Sequence, residues 1–178
     1  MDGQEIAKVL YREATAADCQ AVAEVHVRSW RESYSGIVPQ SFLDKMSVEQ
    51  RAQAFARGFT DDSYKMYVAE VPEKGIVGFA DFGELREGSG AFEAELYALY
   101  LLSEFQRKGI GEKLFRQVVE ALVRRGQHSM LLLTLEVSPY RTFYEKMGGR
   151  VRGRKQIALE GLMFDALFYG WEDLRRCL

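Results

Sequence analysis

The chain has 178 residues, 47% of them apolar, and 24 Lys and Arg against 26 Asp and Glu leave a formal charge of −2. That length suits one sizeable core, so one domain over residues 1–178 is expected. The near-neutral balance lacks the footprint of a nucleic-acid binder, and no apolar run approaches the ~18 residues of a membrane span, so neither partner is expected.

Residues 6–13 read as a first strand. Thr15 then offers a capping hydroxyl, Asp18 three residues on completes a capping-box-like pair, and a helix is expected to about residue 32. His26, Trp30 and Tyr34 recur every fourth residue and fall on one face of it, a spacing that more often packs a core than binds a ligand. Pro39 is expected in the first turn of a short helix to residue 46, and Ser47 at the cap of another reaching residue 59. β-rich residues 64–71 and 76–82 flank the turn Pro72-Glu73-Lys74-Gly75 as a hairpin, and a polar loop spans 84–90.

Residues 95–102 are apolar almost throughout, as in a central strand covered on both faces. Next, Ile110, Leu114, Val118 and Leu122 form one stripe of a helix, with Phe115, Val119 and Val123 beside it and Gly126 to end it. A second apolar run, 130–137, makes this a strand-helix-strand unit with parallel strands. A short helix bearing Tyr144 follows. Residues 151–159 and 162–171 then read as antiparallel strands turning at Glu160-Gly161. Cys19 and Cys177 are far apart and His26 and His128 are the only histidines, so no metal site is expected and both thiols are expected free, in the cytoplasm.

The chemistry concentrates in Gln106-Arg107-Lys108-Gly109-Ile110-Gly111, between the central strand and the amphipathic helix. A glycine pair there serves either a tight bend alone or a phosphate cradle. The cradle needs exposed amides over about 108–112, at the positive end of the helix dipole, with cations nearby, which Arg107 and Lys108 supply. A Rossmann fingerprint is incomplete because position 114 is Leu, and no Walker pattern is present.

This stretch resembles the Q/R-x-x-G-x-G/A signature of the GNAT superfamily of acyl-CoA-dependent N-acyltransferases. Ser138-Pro139-Tyr140-Arg141-Thr142-Phe143-Tyr144-Glu145-Lys146-Met147-Gly148-Gly149 is similar to the family's N-P-A-R-R-F-Y-E-K-L-G-G, and residues 26–34 are similar to its H-V-x-S-W-x-x-A-Y helix. The resemblance implies an α/β (α+β) fold: a mixed, mostly antiparallel central sheet flanked by helices, with strands 4 and 5 parallel and splayed. Pantetheine would pair with strand 4 near Leu101, and the pyrophosphate of acetyl-CoA would rest on Gln106, Arg107, Lys108, Gly109, Ile110, Gly111 and Glu112. Ser138 stands where the family has Asn, Tyr140 where it has a small residue, and Gly149 where an aromatic is frequent.

The implied reaction is direct acetyl transfer from acetyl-CoA to a primary amine, with a small-molecule acceptor expected and a protein N-terminus or lysine as the alternative. A non-catalytic acyl-CoA-binding module is the rival of a different class. An ammonium of ordinary pKa ~10.4 must lose a proton before it attacks. Glu95, eleven residues before Gln106, occupies the spacing at which several members place a carboxylate base. Departing CoA thiolate needs a proton in turn, and the family places a tyrosine at the position of Tyr144. Glu32 and Tyr34 lie on the helix that edges the family's acceptor pocket, while Glu84, Glu87, Glu93 and Glu95 could draw a cationic amine or simply be solvated. Many members dimerise, and the sequence leaves a homodimer open.

Overall fold

The computed structural model describes residues 8–86 and 90–178. Among them, seven strands form: β1 (Leu10–Glu13), β2 (Lys65–Val71), β3 (Gly75–Gly83), β4 (Ala94–Leu101), β5 (Met130–Leu135), β6 (Arg150–Leu159) and β7 (Leu162–Trp171). Five helices accompany them: α1 (Cys19–Tyr34), α2 (Gln40–Lys45), α3 (Val48–Gly58), α4 (Ile110–Arg124) and α5 (Arg141–Lys146). The strands make one sheet in the order β1-β2-β3-β4-β5-β7-β6, antiparallel except between β4 and β5. The expected mixed sheet is therefore present.

Local chemistry explains where the elements begin and end. Residues 6 and 7 of the expected first strand lie outside the described residues. Thr15 donates its N–H to Asp18 Oδ2 at 2.8 Å, but the pair caps a 3-10 turn, Ala16–Asp18, so α1 starts at Cys19. Arg12 of β1 holds the same carboxylate at 2.8 Å and lowers its pKa to about 2, which ties the strand to the helix start. Pro39 sits one position earlier than expected, at the N-cap of α2, whereas Ser47 Oγ accepts from Gln50 N at 3.2 Å and caps α3 as anticipated. β5 ends at Leu135, two residues before the expected end, because the chain turns there: Ser138 N donates to the Leu135 carbonyl at 3.0 Å.

The sheet's two faces are covered differently. α4 buries Leu114, Val118 and Leu122 completely, each worth about 1.5–3 kcal/mol of transfer free energy. On the opposite face α1 and α3 pack an aromatic layer in which His26 meets Phe55, Phe79 and Tyr100 with ring centroids 5.0–6.2 Å apart. Burial lowers the pKa of His26 to about 3, so its ring is neutral and belongs to this layer. Trp30 stacks on Tyr34 at 4.4 Å in a smaller cluster with Val38, Leu43 and Leu135, in keeping with the core reading of the helix stripe.

Two features open the middle of the sheet. In β4, Tyr97 is an extra residue: Asp81 faces Ala98 and Phe82 faces Leu96, a bulge that bends the strand. β4 and β5 pair only at Ala94–Met130 and Glu95–Leu131 and then separate.

Gly149 departs from the family pattern for a packing reason. A Cβ there would lie 2.6 Å from the Trp171 ring and 2.9 Å from the Tyr144 carbonyl. Trp171 donates its indole N–H to the Met147 carbonyl at 2.8 Å and packs on Phe115 at 5.3 Å, so β7 fills the space an aromatic after Gly148 would take. Gly149→Ala is expected to destabilise the protein by about 1–3 kcal/mol, the usual cost of overpacking. The check is a drop in the urea midpoint with the m-value unchanged.

Candidate active site

The turn that opens α4 has two left-handed residues, Arg107 (φ 58°) and Gly109 (φ 80°). Glycine takes that conformation freely, whereas Arg107 takes it at a cost, so alternating backbone signs shape a concave nest of N–H groups. The first helical bond runs from Lys113 N to the Gly109 carbonyl at 3.1 Å, leaving the amides of Ile110, Gly111 and Glu112 without a carbonyl one turn earlier. Ile110 is 1% exposed, so it can offer only its backbone. Glu112 pairs with Arg116 at 3.4 Å along the helix. The cradle's cations are Arg107 and Lys108, the latter lying 5.7 Å over the Phe105 ring. Gly111 faces inward, where a Cβ would lie 3.6 Å from Phe143 and 3.8 Å from Leu99. Phe143 of α5 meets Phe115 of α4 edge to face with ring centroids 6.5 Å apart, which sets α5 beside α4.

The wedge between β4 and β5 leads to that turn. Leu102 N bonds to Val77 on the β3 side, so the neighbouring Leu101 N–H and carbonyl point the other way, into the wedge. The Leu101 carbonyl accepts from Gln106 Nε2 at 3.0 Å, and the same amide donates to Tyr140 Oη at 3.1 Å. Tyr140 Oη also bonds Ser33 Oγ of α1. Ser138 is buried, and its Oγ accepts from Tyr140 N at 3.2 Å, so a hydroxyl replaces the usual Asn amide by fixing the loop before α5.

Four tyrosines converge on this region. Tyr144 is 6% exposed, and burial together with Tyr34 and Tyr140 pushes its pKa well above the ordinary value, so its hydroxyl is a donor throughout the neutral range. Tyr34 is buried against the Ser138 and Thr134 hydroxyls and raised in the same direction. Tyr100, raised by burial with Tyr34 and Tyr144 contributing, completes the set with Tyr140. Glu32 points elsewhere. It pairs with Arg28 at 2.7 Å and opens onto a cavity of about 400 Å³ between α1 and α3, so the structure does not bring the two expected acceptor residues together.

Glu95 is buried at the narrow end of the wedge, with Oε1 accepting from Arg86 Nη2 at 2.7 Å and Oε2 from Arg86 N at 2.9 Å. Arg86 lies 3.9 Å over the Tyr97 ring, and Tyr97, its pKa pushed up to about 12 chiefly by burial, donates to the Glu84 carbonyl at 2.6 Å. Glu93 is engaged separately, accepting from His128 N at 2.6 Å and Ser129 N at 3.1 Å. Glu87 lies outside the described residues. Glu93 and Glu95 thus have separate partners and do not act as one acidic group.

Sequence reasoning missed Arg86, Ser33 and Asp81. The first two are ordinary polar residues until the fold supplies their partners. Asp81 left a signal, as a lone acid in an otherwise apolar strand. It is 4% exposed; Tyr64 Oη donates to Oδ2 at 3.0 Å, and Oδ1 has no partner.

Residues 20–149 match the Acetyltransferase (GNAT) family. The chain is 32% identical over 167 residues to the uncharacterised N-acetyltransferase YuaI of Bacillus subtilis, covering 93% of this chain and 94% of that one. It is 27% identical over 122 residues to the L-amino acid N-acyltransferase MnaT of Escherichia coli, covering 67% and 66%. The PaiA N-acetyltransferase of Thermoplasma acidophilum, solved in complex with coenzyme A, shares the fold with a TM-score of 0.70 at 22% identity, over 90% of this chain and 98% of that one. A splayed parallel pair ending at a helix-capping glycine turn is the frame of an acyl-CoA-dependent transferase. The chain belongs to the GNAT family and is an N-acetyltransferase.

Burial raises the pKa of Asp81 to about 7, against the lowering effects of the Tyr64 hydroxyl and of Arg86. The folded state therefore holds this proton between pH ~4, where the unfolded carboxyl titrates, and about 7, and stability falls as pH rises through that window. Asp81→Asn, which keeps an acceptor for Tyr64, is expected to be more stable than the parent above pH 7 by a few kcal/mol, at ~1.4 kcal/mol per pH unit. The gain vanishes near pH 4. Urea melts across pH check it.

Proposed function

We propose that this N-acetyltransferase moves the acetyl group of acetyl-CoA to the primary amine of a small molecule by direct transfer in a ternary complex. One juxtaposition supports the reading. The unpartnered amides of residues 110–112 suit a pyrophosphate, and the Phe115–Phe143 ring contact holds α5, with Tyr144, beside α4. The coenzyme A held by PaiA and the amino-acid acceptor in the name of MnaT are in keeping with it. Ser138, Leu101 and Gln106 line the wedge as the groups for the pantetheine arm, and Arg107 and Lys108 are the counter-charges for the diphosphate.

Acetyl-CoA supplies the thioester carbonyl carbon and a sulfur leaving group. The residues supply proton traffic. Glu95 takes the ammonium proton, directly or through water, the nitrogen bonds the carbonyl carbon as the carbon–sulfur bond breaks, Tyr144 gives a proton to the departing thiolate, and the second proton that nitrogen sheds on becoming an amide restores Tyr144. Proton uptake at Glu95 exchanges with its bonds to Arg86, so the 84–86 segment takes part. Tyr144, held neutral by burial, donates usefully only at hydrogen-bond distance from the sulfur, because its proton is bound more tightly than that of a thiol of pKa ~8.5. Tyr34 edges the acceptor side of the wedge, and Glu32 reaches it only if the acceptor extends around α1.

The test is thiol release from acetyl-CoA with a panel of amino acids, polyamines and aminoglycosides, beside N-terminal and lysine peptides. Amine-dependent release with small acceptors is expected; release with peptides alone would move the acceptor to protein, and none with any acceptor would leave a binding module. Tyr144→Phe is expected to lower kcat by about 10²-fold, the low end of acid–base effects, with CoA affinity little changed. Glu95→Gln should lower kcat with coenzyme A affinity little changed, and a kcat equal to the parent's would remove Glu95 as the base.

A further inference from the structure

Tyr140 stands where the family resemblance leads one to expect a small residue, and its hydroxyl is the meeting point of three separate elements. Its backbone is rigid: Tyr140 N donates to Ser138 Oγ at 3.2 Å, and its carbonyl accepts from Phe143 N at 3.0 Å at the start of α5. The side chain reaches from the β5 side of the wedge to Gln106 on the β4 side and to Ser33 near the end of α1. Both amide hydrogens of Gln106 are spent, one on the Leu101 carbonyl at 3.0 Å and one on Tyr140 Oη at 3.1 Å, and of the two hydroxyl protons of Tyr140 and Ser33 one lies between their oxygens.

We propose that Tyr140 is a positioning residue that couples occupation of the β4–β5 wedge to the placement of α1, through its simultaneous bonds to Gln106 and Ser33. The inference rests on the wedge taking the acyl-CoA arm. That arm carries amides that seek the same Leu101 carbonyl Gln106 holds. Drawing Gln106 aside removes one of the two bonds on Tyr140 Oη and leaves its hold on Ser33 to readjust. α1 bears Trp30 and Tyr34 in the turn that covers the wedge, so a shift there changes the surface an acceptor meets. Filling the wedge thereby prepares the amine side, and the coupling is reciprocal: an acceptor that repositions α1 changes affinity for the acyl donor by the same factor.

The experiment combines calorimetry with amide hydrogen exchange on the intact protein, using coenzyme A as the probe. In the parent, coenzyme A should change exchange in residues 30–35. In Tyr140→Phe, and independently in Ser33→Ala, that response should vanish while the rest of α1 keeps its protection. Tyr140→Phe should also bind coenzyme A roughly three- to tenfold more tightly, since one neutral hydrogen bond no longer competes. A response in residues 30–35 equal in parent and Tyr140→Phe, with unchanged affinity, overturns the coupling alone. No binding of coenzyme A to the parent overturns both the coupling and the site reading beneath it.

Discussion

The early end of pairing between β4 and β5 is the constraint on which the rest depends. A parallel pair that continued would spend every main-chain group of both strands on the ladder; here it stops after Glu95 and Leu131, and main-chain groups such as Leu101 N–H and C=O are left facing a wedge. The Tyr97 bulge gives β4 the bend that goes with this opening. Unpaired backbone inside a folded protein must find partners. In this chain the Leu101 carbonyl is taken by Gln106, placed in the turn that follows β4. A polar side chain from just beyond the seam thus satisfies a main-chain group that the opening exposes.

The two faces of the seam divide the work. On one, α4 is held by complete burial of an aliphatic stripe, which fixes the direction of its dipole and the position of its unpartnered amides. On the other, an aromatic layer of His26, Phe55, Phe79, Tyr100 and Trp30 supports α1 without filling every polar atom: His26 Nδ1 and Ser29 Oγ are buried without partners. Completely buried aliphatic side chains thus lie under α4, and a layer with unsatisfied polar atoms lies under α1. Two carboxylates near the wedge are individually matched, Glu95 by Arg86 and Glu93 by two backbone amides. Asp81 is the exception, half-satisfied by Tyr64 and held near its titration point at neutral pH, a cost that favours the protonated form.

What the sequence alone determined is the part governed by local rules. Near-continuous apolar or β-rich runs marked the strands, and apolar residues recurring every fourth position marked the helices, because side-chain direction repeats with the backbone. Gly109 was legible because a left-handed residue at the mouth of a helix favours glycine, and Gly148-Gly149 and Tyr144 could be read in register with a known motif. Tertiary structure alone decided how distant polar groups were spent. Arg86 on Glu95, Ser33 on Tyr140 and Trp171 over Gly149 join residues nine, 107 and 22 positions apart, and no periodicity links them. The left-handed Arg107 was likewise not legible before the turn was seen. The physical reason is one of range. Backbone preference and burial act within a few residues, whereas a hydrogen bond or ion pair is decided only when the packed sheet brings its two ends together.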